Sequence, residues 1–153
     1  MIKLKAVQDG ITISLNAMLD RGAAMQSFLN RNIFRMYQNA QRDRWMTENE
    51  SQGDLWKRLT PAYAERKKKL YATYEGGGEK MLIATGKLFK SVIGPGDGMR
   101  KIVTNKSLFI ATGVEYAGFV DDARTFTKWS PGFRAKIQKA INDFVIYNIR
   151  REE

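Results

Sequence analysis

The feature that most constrains this chain is a long apolar stripe at helical spacing in its amino-terminal third. From about Thr12 to Met46, the residues Leu15, Met18, Leu19, Met25, Phe28, Leu29, Ile33, Met36, Tyr37 and Ala40 recur at helical intervals. Arg31, Arg35, Gln38, Arg42 and Asp43 fall mostly off the stripe. Unbroken, such a helix spans roughly 50 Å at 1.5 Å per residue, where about three turns is average for a compact domain. It predicts an element that reaches beyond its own core, bent or split at Gly22. The Met-rich face reads first as core and second as a groove for a partner.

Around this stripe the periodicity changes several times. Met1 to Lys5 alternates Ile2 and Leu4 with Lys3 and Lys5, a short strand with one wet face, and Asp9-Gly10 follows as a turn. Glu48 to Asp54 is a polar loop. Thr60-Pro61 then offers a cap and a first-turn proline for a second, basic helix from about Pro61 to Tyr74. Gly76-Gly77-Gly78 ends that helix and reads as a flexible linker. Leu88–Ile93, Lys101–Thr104 and Leu108–Thr112 are short runs with β-branched residues, separated by Gly94-Pro95-Gly96-Asp97-Gly98 and by Asn105-Lys106. Two tight connections in succession predict an antiparallel meander. Glu115 to Lys128 is expected to be irregular. Ser130-Pro131 repeats the start signal, and Phe133, Ile137, Ala140, Ile141, Phe144, Val145 and Ile149 line one face of a closing amphipathic helix. The expected class is α+β: a long amino-terminal helix, a second basic helix, a small antiparallel sheet and a carboxy-terminal amphipathic helix.

The length of 153 residues suits one domain spanning 1–153. A domain of this size buries roughly 70% of its unfolded surface and needs no staple. The chain has no cysteine and no histidine, which removes thiolate nucleophiles, Cys-type zinc sites and the commonest general base. Carboxylates and lysines remain, but no spacing gathers them for catalysis, so no enzyme, cofactor or metal is expected. No apolar run approaches the ~18 to 20 residues of a membrane span, and no secretory h-region opens the chain. The expectation is a protein made in a cytoplasm, or assembled there, with no membrane partner. The net charge of +10 predicts attraction to phosphates or to acidic protein surfaces.

Three clusters invite chemistry. The glycines of Gly94 to Gly98 lack a following Lys-Ser/Thr and read as a hairpin turn, not a phosphate loop. Asp121-Asp122 reads as a solvated pair, not a metal site. Lys57, Arg58, Arg66, Lys67, Lys68 and Lys69, interleaved with Trp56, Tyr63, Tyr71 and Tyr74, form the best candidate for DNA or partner contact. The competing reading, which helical spacing favours, turns the aromatics to the core and the lysines to water. Loose phosphate contact is more plausible than sequence reading, since lysines near phosphates need no fixed geometry.

The middle of the chain resembles a known family. Trp56-Lys57-Arg58-Leu59-Thr60 is similar to the "W-x-x-L-[ST]" block of the phage virion morphogenesis family, the Mu-like tail completion and neck proteins. A Lys-rich helix follows in that family, and Arg66 to Lys69 occupy its place. The family's "L-x-x-T-G-x-L-x-x-S" block is met by Leu82, Thr85, Gly86, Leu88 and Ser91. The later "G-x-x-x-x-Y-A" element corresponds to Gly113, Tyr116 and Ala117 within Thr112-Gly113-Val114-Glu115-Tyr116-Ala117, with two residues here between the Gly and the Tyr. Where the family continues with His-Gln-x-Gly, this chain has Gly118-Phe119-Val120-Asp121, and a Pro-x-Arg-Pro-Phe segment is reduced to Ser130-Pro131-Gly132-Phe133-Arg134. The resemblance implies a structural virion protein at the head–tail junction, in the neck or at tail completion. It implies partners of three kinds: copies of itself in a ring, neighbouring neck, connector or tail proteins, and non-specific DNA.

Overall fold

The computed structural model describes residues 2–3, 22–94 and 98–150. The expected turn at Asp9-Gly10 and the stripe residues Leu15, Met18 and Leu19 lie outside these residues. The class is α+β, as the order of elements predicts. Helix α1 runs as Gly22–Phe28, passes through a π-helical turn at Leu29–Ile33 and continues as Phe34–Met46. The π turn closes with the Phe34 N–H donating to the Leu29 carbonyl, so one extra residue is absorbed where the helix crosses the core. Met25, Leu29, Ile33, Phe34, Tyr37 and Trp45 are all buried along it. The described part of α1 is therefore the spine of the core.

Thr60 takes the extended cap conformation and Pro61 the first position of α2, Pro61–Tyr71. The helix stops at Tyr71, three residues short of the expected Tyr74. The glycines beyond it are no linker. The Gly77 Cα sits where an added Cβ would lie 2.3 Å from the Ala84 carbonyl oxygen and 2.7 Å from that of Tyr71, so this turn is packed tight.

Leu88–Ile93, expected as a strand, is part of helix α3, Lys87–Ile93. Gly86 precedes it at φ +80, and Leu88, Ser91 and Val92 are buried at helical spacing. The spacing of the buried residues overrides the β propensity of Val92 and Ile93. Gly94 to Gly98 thus joins a helix to a strand and is not a hairpin turn. Strands β2, Met99–Val103, and β3, Leu108–Thr112, do form the expected hairpin, in register from Met99↔Thr112 to Val103↔Leu108. The third strand is not the run before them but β1, Ile2–Lys3, which pairs antiparallel with Thr112 and Ala111. The order is β1-β3-β2, so the predicted meander is replaced by a hairpin extended from the chain start.

Within the segment expected to be irregular, Ala117–Ala123 forms helix α4. The closing helix α5 is Pro131–Arg150, with the Ser130 hydroxyl accepting the Phe133 N–H at 3.2 Å as its cap. Ile137 and Ile141 are buried, and Phe144 stacks on Phe28 of α1 at 4.1 Å between centroids. Trp45 is the hub of the core. It packs edge-on against Trp56 at 5.6 Å and tilted against Phe89 at 5.5 Å and Phe126 at 5.8 Å.

Candidate functional site

The three family-like blocks come together in space. Trp56 is buried against Trp45, and its indole N–H donates to the Thr125 carbonyl at 3.0 Å. Leu59 and Leu82 are half-buried against the core. Thr85 is exposed at the turn into α3, where its hydroxyl accepts the Lys87 N–H at 3.4 Å. Leu88 is buried, and the Ser91 hydroxyl meets that of Thr112 at 2.7 Å while bonding to the Leu88 carbonyl. The Gly113 N–H donates to the Gly98 carbonyl at 2.7 Å, which closes the open end of the hairpin. Ala117 is buried and Tyr116 half open beside Tyr71, with burial raising its phenol pKa. These residues hold elements together.

The basic cluster divides. Lys57, Arg58, Arg66, Lys68 and Lys69 are exposed, but Lys67 is only 3% exposed. Its ammonium donates to the carbonyls of Gly77, Lys80 and Ile83, the last two at 2.6 Å. Burial pushes its pKa down, and the Glu48 carboxylate opposes that shift. The aromatics in and around α2 divide as well, with Trp56 buried and Tyr71 half-buried. Tyr63 and Tyr74 are about half exposed, as is Leu70. The expectation of aromatics in the core and lysines in water holds for Trp56 and for the five exposed cations, and fails at Lys67, whose ammonium three carbonyls receive, and at the exposed Tyr63 and Tyr74.

Sequence reasoning missed a second buried cation. Arg44 is fully buried in α1, donates to the carbonyls of Phe126 and Lys128, and lies 4.4 Å from the Trp129 ring centroid. Desolvation lowers its pKa to about 10, against the pull of Tyr37 and Asp121. Gln41, also buried, donates to the same Phe126 carbonyl at 3.1 Å. From the other side Asp121 accepts the N–H groups of Phe126 and Thr127 at 2.8 and 3.0 Å and the Thr127 hydroxyl at 2.7 Å. The segment 124–130 is thus pinned by side chains on both flanks. Asp121 is a brace and not the solvated residue expected; Asp122 is exposed. The sequence sign of Arg44 is its place on the apolar stripe, four residues after Ala40 and seven after Tyr37, a place its charge argued against.

Among the described residues no group of three or more His, Cys, Asp or Glu could hold a metal ion, and no helix is long and apolar enough to cross a membrane. No family model, no curated protein and no solved structure matches the chain.

Proposed function

We propose that this chain is a non-enzymatic structural protein of a tailed bacteriophage, acting at the head–tail junction as a neck or tail completion subunit. Its partners in this reading are copies of itself in a ring and the neighbouring neck, connector or tail proteins, with non-specific contact to passing DNA. It works in the virion and is assembled in the host cytoplasm. The observation that carries the reading is the ordered set of blocks from Trp56 to Ala117, together with their use as scaffold: block two bonds to the Thr112-Gly113 turn through Ser91, and block one is tied to the segment after α4 through Trp56. Residues spent on joining elements, with polar chemistry left to exposed cations, suit a protein that works by shape and surface charge.

Electron microscopy of particles made when this gene alone is inactivated tests the proposal. Filled heads accumulating beside separate tails are expected. Normal, joined virions would remove the assignment. A basic nucleic-acid-binding module would then lead, on the strength of five exposed cations beside the exposed Tyr63 and Tyr74.

A further inference from the structure

Phe119 is 82% exposed, the most open of the large apolar side chains among the described residues. It stands on α4 with Asp122 three residues on, hence on the same helical face, and with Glu115 in the turn leading in. Both carboxylates are exposed, and neither has a partner among the described residues. The result is an aromatic knob with an acidic rim.

The outer flank of α2 is its chemical counterpart. This helix rests on the protein through a narrow stripe, Ala64, Lys67 and Tyr71, at spacings of three and four. The positions beside that stripe, Tyr63, Arg66 and Leu70, also follow at three and four, so they share an outward flank bordered by Lys69. Tyr63 is 50% and Leu70 56% exposed, and Arg66 and Lys69 carry no ion pair among the described residues. It is an apolar surface with a basic centre.

We propose that α4 of one copy of this chain docks on the outer flank of α2 of a second copy, Phe119 packing against Tyr63 and Leu70 while Glu115 and Asp122 face Arg66 and Lys69. Charge selects the occupant. A chain of net charge +10 repels its own copies at long range, so copies meet only where local signs oppose, and α4 supplies the acidic patch that α2 lacks. Nucleic acid would match the cations but has no use for Leu70 and is repelled by the α4 carboxylates. The inference rests on the reading above in one respect, that many copies gather at one site, and it names the contact between them.

The test uses the purified full-length chain in sedimentation equilibrium, with circular dichroism as a control for folding. The wild type is expected to associate. Asp122→Lys combined with Glu115→Lys, and separately Arg66→Glu combined with Lys69→Glu, should each weaken association by at least about tenfold. Mixing the two charge-reversed chains should restore a complex that neither forms alone. Phe119→Ser, at a site too exposed to matter for folding, should weaken association as well. A wild type that stays monomeric overturns the inference, as does association indifferent to all of these changes. Absence of self-association together with tight binding of a labelled DNA oligonucleotide, lost in the Arg66→Glu, Lys69→Glu chain, overturns it in favour of nucleic acid. Failure here leaves the head–tail reading to its own experiment, since unjoined heads and tails in the inactivated phage do not depend on which surface the copies use.

Discussion

A lysine ammonium has three protons to donate, and Lys67 places all of them on carbonyls of one loop, Gly77, Lys80 and Ile83. Removing the donor takes from the Gly77 and Ile83 carbonyls the ammonium that satisfies them, while the Lys80 carbonyl keeps the Ile83 N–H at 3.2 Å. Lys67→Met should therefore lower the unfolding free energy in urea by about 3 kcal/mol, at the upper end for unsatisfied buried groups. A loss under about 0.5 kcal/mol would mean that water replaces the ammonium and the loop does not depend on it. Tyr37 gives a residue-scale effect that depends on pH. Burial pushes its phenol above 10.0, so the neutral form is favoured in the fold, and its hydroxyl donates to the Val92 carbonyl at 2.9 Å. That contribution is complete below pH 10 and is lost as pH rises above it, where the unfolded phenol ionises and the folded one does not. Arg44 acts with the opposite sign: with its folded pKa lowered to about 10, the unfolded chain binds more protons above that pH, and stability rises with pH. The difference between wild type and Tyr37→Phe isolates the phenol. Phe should cost about 1 kcal/mol at neutral pH for the lost hydrogen bond. The gap should narrow above pH 10; a gap of constant width would show that burial does not hold the phenol neutral. Neither buried cation was legible in the sequence. A charged residue on a helix reads as solvent-facing, and only the distant carbonyls that receive it, more than eighty residues away for Arg44, reverse that reading.

Elements were legible where a cap and a stripe agreed. Ser130-Pro131 and the Ile137–Ile141 face marked α5, and Thr60-Pro61 marked the start of α2. The α5 cap can be tested directly. Ser130→Ala removes the hydroxyl that accepts the Phe133 N–H and should cost about 1 kcal/mol, a fall of roughly 2 to 4 °C in melting temperature. An unchanged melting temperature would show that Pro131 alone holds the helix start. Elements were illegible where composition and spacing disagreed. Val92 and Ile93 suggested a strand, while Leu88, Ser91 and Val92 carried the helical spacing that the fold follows. The π turn at Leu29–Ile33 leaves no compositional mark, since its one extra residue is apparent only when Leu29 and Phe34 are both seen in the core. The segment after α4 has no periodicity because its backbone is satisfied by side chains, Arg44, Asp121 and Trp56, and not by its own helix or sheet.

At the scale of the whole molecule, the α+β class followed from the order of helix-period and strand-period segments, but the sheet did not. Its third strand comes from the chain start, Ile2 against Thr112, a pairing across more than a hundred residues that no local pattern encodes. The dominant long-range quantity is the excess of ten positive charges. It acts on the fold and on assembly in opposite senses. Within one chain, exposed cations such as Lys57, Arg58, Arg66, Lys68 and Lys69 repel one another more when the chain is compact than when it is unfolded, so screening them should stabilise the fold. Between chains, the attraction proposed between the α4 carboxylates and the α2 cations is weakened by the same screening. Raising sodium chloride from about 20 mM to about 300 mM shortens the screening length from roughly 20 Å to roughly 6 Å, below the span of the basic surface but longer than a direct ion contact. The melting temperature of the Phe119→Ser chain, chosen because its association should be weakened, is expected to rise by a few degrees over this range, while wild-type self-association falls. A melting temperature that drops with salt would mean that attractive surface pairs such as Lys139–Asp143 outweigh the net repulsion. Association that strengthens with salt would mean that apolar contact, and not opposed charge, brings the copies together.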